Sequence, residues 1–150
     1  MSRKLMLLAT ALALAAVMSV GGGAALAAKN HSVTASGKAA SIGTEAGKTV
    51  ALGRFLGTLG ETVAVFKTKV LKNGNLSSTF VAYTRNGTLR GTALQKVTTN
   101  AAGGSTFSGT AKVTGGTRLY AGATGTISVA GTQPKDATVI AYKLKGTVRY

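Results

Sequence analysis

The chain has 150 residues, 45% of them hydrophobic but only 5% aromatic, with 21 Gly, one Pro and no Cys. Eighteen Lys and Arg stand against three acids, a formal charge of +15, and there is one histidine, His31. This arithmetic allows one domain plus a targeting segment, and it disfavours a disordered chain, paired-carboxylate hydrolases, disulfide frameworks, thiolate metal sites, thiol nucleophiles and an ordinary catalytic triad.

The first segment has the organisation of an export leader. Ser2-Arg3-Lys4 is a basic start, Leu5 to Val20 is almost unbroken apolar sequence, and Ala25-Leu26-Ala27 supplies the small-x-small pattern accepted by a signal peptidase. With the Gly and Ala residues that follow, the same run is just long enough for an uncleaved anchor. The short apolar core and the small-residue site favour cleavage after Ala27. Cleavage removes Arg3 and Lys4, so the charge of +15 becomes +13 on a single domain, residues 28–150. The Ala/Leu-rich leader, with no second hydrophobic span, points to secretion beyond a bacterial inner membrane, to the periplasm or outside.

Past the leader, Gly, Thr, Ser, Val and Ala dominate and no helical period survives. Runs rich in Val, Thr, Phe and Tyr recur between Gly and Asn-Gly punctuation, which is an all-β pattern. Eight strands are expected, near Ser32 to Ser36, Thr49 to Leu59, Thr62 to Leu71, Leu76 to Thr84, Thr88 to Thr98, Ser105 to Val113, Thr124 to Thr132 and Thr138 to Arg149.

Turn chemistry suggests pairings in the middle of the chain. Asn86-Gly87 between Arg85 and Thr88 is a favoured two-residue hairpin loop with positive φ at both central residues. It places Thr84 across from Leu89, Tyr83 from Arg90 and Phe80 from Ala93. A three-residue loop at Asn73-Gly74-Asn75 pairs Thr68 with Phe80 and Phe66 with Ala82, and it keeps apolar groups together. One face then carries Ala64, Phe66, Val70, Phe80, Ala82, Leu89, Gly91, Ala93 and Val97. The other carries Lys67, Lys69, Tyr83, Arg85, Arg90 and Lys96.

The alternation returns near the end. Phe107, Gly109, Ala111 and Val113 share one parity, as do Ile140, Tyr142, Leu144 and Val148. Consecutive antiparallel strands with short loops and no covering helix must dispose of their edges, and closure into an eight-stranded antiparallel β-barrel does so most completely. Such an interior is filled by side chains or holds one small ligand. The many inward Ala and Gly favour some internal space.

Between the sixth and seventh expected strands lies Gly115-Gly116-Thr117-Arg118-Leu119-Tyr120-Ala121-Gly122-Ala123-Thr124-Gly125. It resembles the Gly-Gly-Thr-Gly-x-(Phe/Tyr)-x-x-Ala-x-Gly signature of the allene oxide cyclase and dirigent-like β-barrel superfamily. The match rests on Gly115, Gly116, Thr117, Tyr120, Ala123 and Gly125, and it departs at Arg118, where the family usually has glycine. The resemblance implies an eight-stranded barrel, often a homotrimer, with a cavity for an apolar or phenolic small molecule. Members of the group cyclise a fatty-acid epoxide or steer the coupling of phenoxy radicals, holding a reactive substrate in one shape rather than supplying a strong acid or base. Any enzyme activity is then expected to be isomerase-like or cyclase-like, with no cofactor and no metal.

Few side chains offer chemistry. Tyr83 and Arg90, as expected cross-strand neighbours, form a candidate phenol and guanidinium pair for an anionic or oxygenated ligand or a plain surface cation–aromatic contact. Glu61 is a candidate rim acid, or a turn carboxylate paired with a lysine. Arg118 and Tyr120 are candidate ligand contacts at the barrel mouth, Tyr120 being first a loop anchor. His31 is expected in a disordered arm. The basic charge opens an alternative reading as a cell-envelope protein bound to polyanions. The scarcity of exposed aromatics argues against a specific nucleic-acid reader.

Overall fold

The computed structural model describes residues 27–150, so the expected leader and its cleavage point lie almost wholly outside the described residues. Eight strands follow in chain order: β1 (Asn30–Glu45), β2 (Lys48–Gly57), β3 (Gly60–Val70), β4 (Leu76–Thr84), β5 (Gly87–Thr99), β6 (Ser105–Gly116), β7 (Thr124–Gln133) and β8 (Val139–Arg149). Each pairs antiparallel with its neighbours in sequence, and β8 returns to β1 to close an eight-stranded barrel. One short 3-10 turn, Arg118–Tyr120, lies between β6 and β7.

Side chains alternate inward and outward along every strand, as the sequence parity requires. Val33, Ala64, Leu89, Ala93, Ala111, Val113, Ile127, Val129 and Val148 are buried inside. Inward glycines provide seats for aromatic rings rather than simple voids. A Cβ added to Gly91 would lie 2.9 Å from the Phe80 ring, and one on Gly131 would lie 2.6 Å from the Tyr142 ring. The rings then meet across the interior in tilted or edge contacts, Phe55 with Phe66 at 6.2 Å and Phe107 with Tyr142 at 6.2 Å between centroids.

The turns correct several expected pairings. The β4–β5 loop is Arg85-Asn86, flanked by the pair Thr84 and Gly87, so Tyr83 faces Thr88 and Arg90 faces Val81. Gly87 alone takes positive φ, at 137°, while the Thr84 hydroxyl accepts from the Asn86 amide at 3.0 Å and donates to the Gly87 carbonyl at 2.9 Å. Local side-chain bonding thus displaces the Asn-Gly turn that propensity favours. The β3–β4 loop spans Leu71 to Asn75, which pairs Phe66 with Phe80 and Thr68 with Ser78. Both corrections shift the register by two residues, so every side chain keeps its expected face.

β1 runs for 16 residues, far beyond the expected Ser32 to Ser36. It continues past a bulge at Ile42 into a tight turn at Ala46-Gly47, with φ of 48° and 74°. Its start is equally ordered. His31 pairs with Val148 and stacks on Tyr150 at 4.1 Å, which overturns the expected disordered arm.

Candidate functional site

The two barrel ends differ. At one end the β6–β7 segment folds back over the opening. Thr117 donates its amide to the Thr88 carbonyl at 3.0 Å, its hydroxyl accepts from the Thr88 amide at 3.1 Å, and Leu119 reaches the Asn86 carbonyl at 3.3 Å. The approach is close enough that a Cβ on Gly87 would sit 2.2 Å from the Thr117 carbonyl oxygen, and one on Gly116 would sit 2.2 Å from that of Thr88. Only glycine fits either position. Tyr120 enters the barrel end at 1% exposure with its ring edge-on to Tyr150, and Ala123 and Val148 beneath it are wholly buried.

Above this floor the barrel holds a cavity of about 290 Å³, near the lower limit for small-molecule sites. Phe55, Phe66, Phe80 and Tyr142 supply its aromatic wall, with aliphatic surface from Ile140 and Leu144. The cavity reaches toward the opposite end, where lining residues Ser41, Thr49, Val70 and Thr138 are exposed. Among the described residues no charged side chain lines it.

The polar groups of the lining are hydroxyls and amides. Gln95, 7% exposed on β5, accepts a long hydrogen bond of 3.5 Å from the Tyr142 hydroxyl, and the Thr68 and Ser78 hydroxyls lie 2.8 Å apart. Burial raises the Tyr142 phenol above its ordinary value, an effect only partly opposed by the Gln95 hydrogen bond. The phenol is therefore neutral in ordinary buffers, available as a hydrogen-bond donor rather than as a base. Near the mouth, Gln133 donates to the Ala137 carbonyl at 2.6 Å and fixes the β7–β8 loop.

The side chains singled out in the sequence stand elsewhere. Glu61 pairs on the outer surface with Arg54 rather than with a lysine. Tyr83 is 51% exposed on the outer wall and Arg90 is exposed two residues out of register with it. Arg118 is exposed at the closed end with φ of 56°, and Tyr120 forms the floor without lining the cavity. Gly115, Gly116, Thr117, Tyr120, Ala123 and Gly125 all lie in this closing segment, from the end of β6 to the start of β7. Arg118 occupies a left-handed backbone conformation that glycine favours.

Sequence reasoning places Tyr142 inside but overlooks Gln95. The signal is there, because Gln95 lies between Ala93 and Val97 on the inward parity of β5. Among the described residues no three His, Asp or Glu side chains converge as a metal site. A scan against protein-family models and searches of curated proteins and of solved structures gave no match.

Proposed function

We propose that this is a secreted barrel protein that binds a small, uncharged, apolar or phenolic molecule, in the manner of the allene oxide cyclase and dirigent-like proteins that its β6–β7 segment resembles. The observation that carries the reading is the aromatic-walled cavity lined by the hydrogen-bonded pair of the Tyr142 phenol and the Gln95 amide. A charged ligand finds no counter-ion on these walls and keeps the cost of its desolvation. A neutral ligand replaces water along its apolar body, at about 25 cal/mol for each Å² covered, and places one oxygen beside Gln95 and Tyr142.

Guidance of a reaction is proposed only in the sense of shape. The lining provides no ionised acid or base, so selection among products rests on which conformation of a reactive guest fits against Phe55, Phe66 and Phe80. Thermal unfolding with a panel of lipophilic phenols and oxylipins tests the binding. Wild-type protein is expected to show a saturable rise in Tm with at least one neutral member. Ala51→Phe, which adds a ring to the cavity wall near the mouth, is expected to lose it. The absence of any shift across the panel, with no guest carried by protein purified from its own culture on native mass spectrometry, would remove the reading.

A further inference from the structure

The three acidic side chains of the chain are Glu45, Glu61 and Asp136. Glu45 bonds Lys67 at 2.8 Å, Glu61 bonds Arg54, and Asp136 sits in the β7–β8 loop. Glu45 ends β1 beyond the stretch paired with β8, and no acidic side chain stands on the outer face that β6, β7 and β8 form with Asn30–Ala40 of β1. There the register sets one cation in each of five successive rows. Lys38 lies in the row of Ala141, followed by Lys143, then Lys145. Lys112 lies in the row of Thr126 and Thr147, and Arg149 in the next, between Asn30 and Thr124. All five are exposed.

Successive rows on one face are about 6.8 Å apart, since two residues rise by that amount. Extended chain advances at most about 3.6 Å for three bonds, so the six-bond repeat of a phosphodiester chain advances about 7 Å. Hydroxyl side chains fill the positions between the cations, with Ser36 beside Lys143 and Thr34 and Ser128 on either side of Lys145. We infer that this face is a track for a linear, base-free phosphodiester polymer of the polyol-phosphate kind, each row meeting one phosphate with a cation and neighbouring hydroxyl donors. Base-free chemistry follows from the face itself: among the described residues its outward positions in these five rows carry Thr, Ser, Ala, Asn, Lys and Arg and no aromatic ring on which a base would stack. The track is independent of the cavity, whose lining points inward from the same strands.

Equilibrium binding of the purified protein to poly(glycerol phosphate), across a series of salt concentrations, tests the assignment. The fourfold variant K38Q/K112Q/K143Q/K145Q is compared with K48Q/K69Q/K72Q/K135Q, which removes the same charge from around the mouth. The track variant is expected to weaken binding more than about tenfold and to flatten the slope of log K against log salt by about 3, near 0.7 for each phosphate that the variant leaves unneutralised. The mouth variant is expected to weaken binding less than about threefold. Equal weakening in the two variants would reduce the attraction to net charge and overturn the track, as would a wild-type protein that does not bind. Tighter binding of a single-stranded oligodeoxynucleotide with the same number of phosphates would overturn the base-free occupant and assign the face to nucleic acid.

Discussion

Tyr120 shows how one side chain settles an entire end of the molecule. Its ring is almost wholly buried, meets Tyr150 edge-on at 4.8 Å and closes the floor above Val148. Tyr120→Ala is expected to lower the unfolding free energy in urea by about 3–5 kcal/mol, the usual cost of truncating a buried aromatic. Two residues earlier the balance reverses. Arg118 bears the strain of a φ of 56° that glycine would not, so Arg118→Gly is expected to raise stability by up to about 1 kcal/mol in the same assay. Tyr142 gives a pH dependence. Burial raises its folded pKa above the unfolded value of 10.0, so the neutral phenol favours the folded state. That contribution is complete below the unfolded pKa and disappears as pH rises through the folded one. Tm is therefore expected to fall above about pH 10. Tyr142→Phe should make that alkaline fall shallower, with Tyr150, also raised by burial, supplying what remains. At this scale the sequence is a partial guide. Parity identifies Tyr142 as inward, whereas Glu61, Tyr83 and Arg90 draw attention for their chemistry although the same parity turns Tyr83 and Arg90 outward.

Among the elements, β4 and β5 mark the limit of what local sequence determines. Their hydrophobic alternation sets which face is buried, and both faces stand as expected. Register depends instead on a competition within the turn, where the Thr84 hydroxyl engages the Asn86 amide and the Gly87 carbonyl. The distant β6–β7 segment lies against the same hairpin, and nothing in the Arg85-Asn86-Gly87 triplet announces that contact. β1 outruns its expected length for a related reason. Its Ser, Gly and Ala residues have little β propensity of their own, and pairing with both β2 and β8 supplies the order. Gly87→Ala should reveal the contact with the β6–β7 segment, because its Cβ collides with the Thr117 carbonyl while Gly47→Ala meets nothing within 4 Å. Denaturant unfolding is expected to show a destabilisation above about 2 kcal/mol for Gly87→Ala and about 1 kcal/mol for Gly47→Ala, where left-handed strain acts alone.

For the whole molecule, the barrel separates two chemistries by parity alone. Among the described residues, inward positions are uncharged and build a closed floor, an aromatic wall and a buried amide, while outward positions carry the cations. This division is legible from alternation and from the need to close eight consecutive strands. The position of the cavity is less legible, because it depends on aromatic rings lying over Gly91 and Gly131 and on the β6–β7 segment sealing only one end. Binding of a small neutral guest in that interior is the central proposal, and intermolecular nuclear Overhauser effects from unlabelled 4-propylphenol to the labelled protein test it most directly. Contacts from the guest to Phe80, Tyr142 and Leu144 are expected, whereas contacts confined to outer-wall residues such as Tyr83 and Leu94, or no contacts at saturating guest, would rule out binding in the interior.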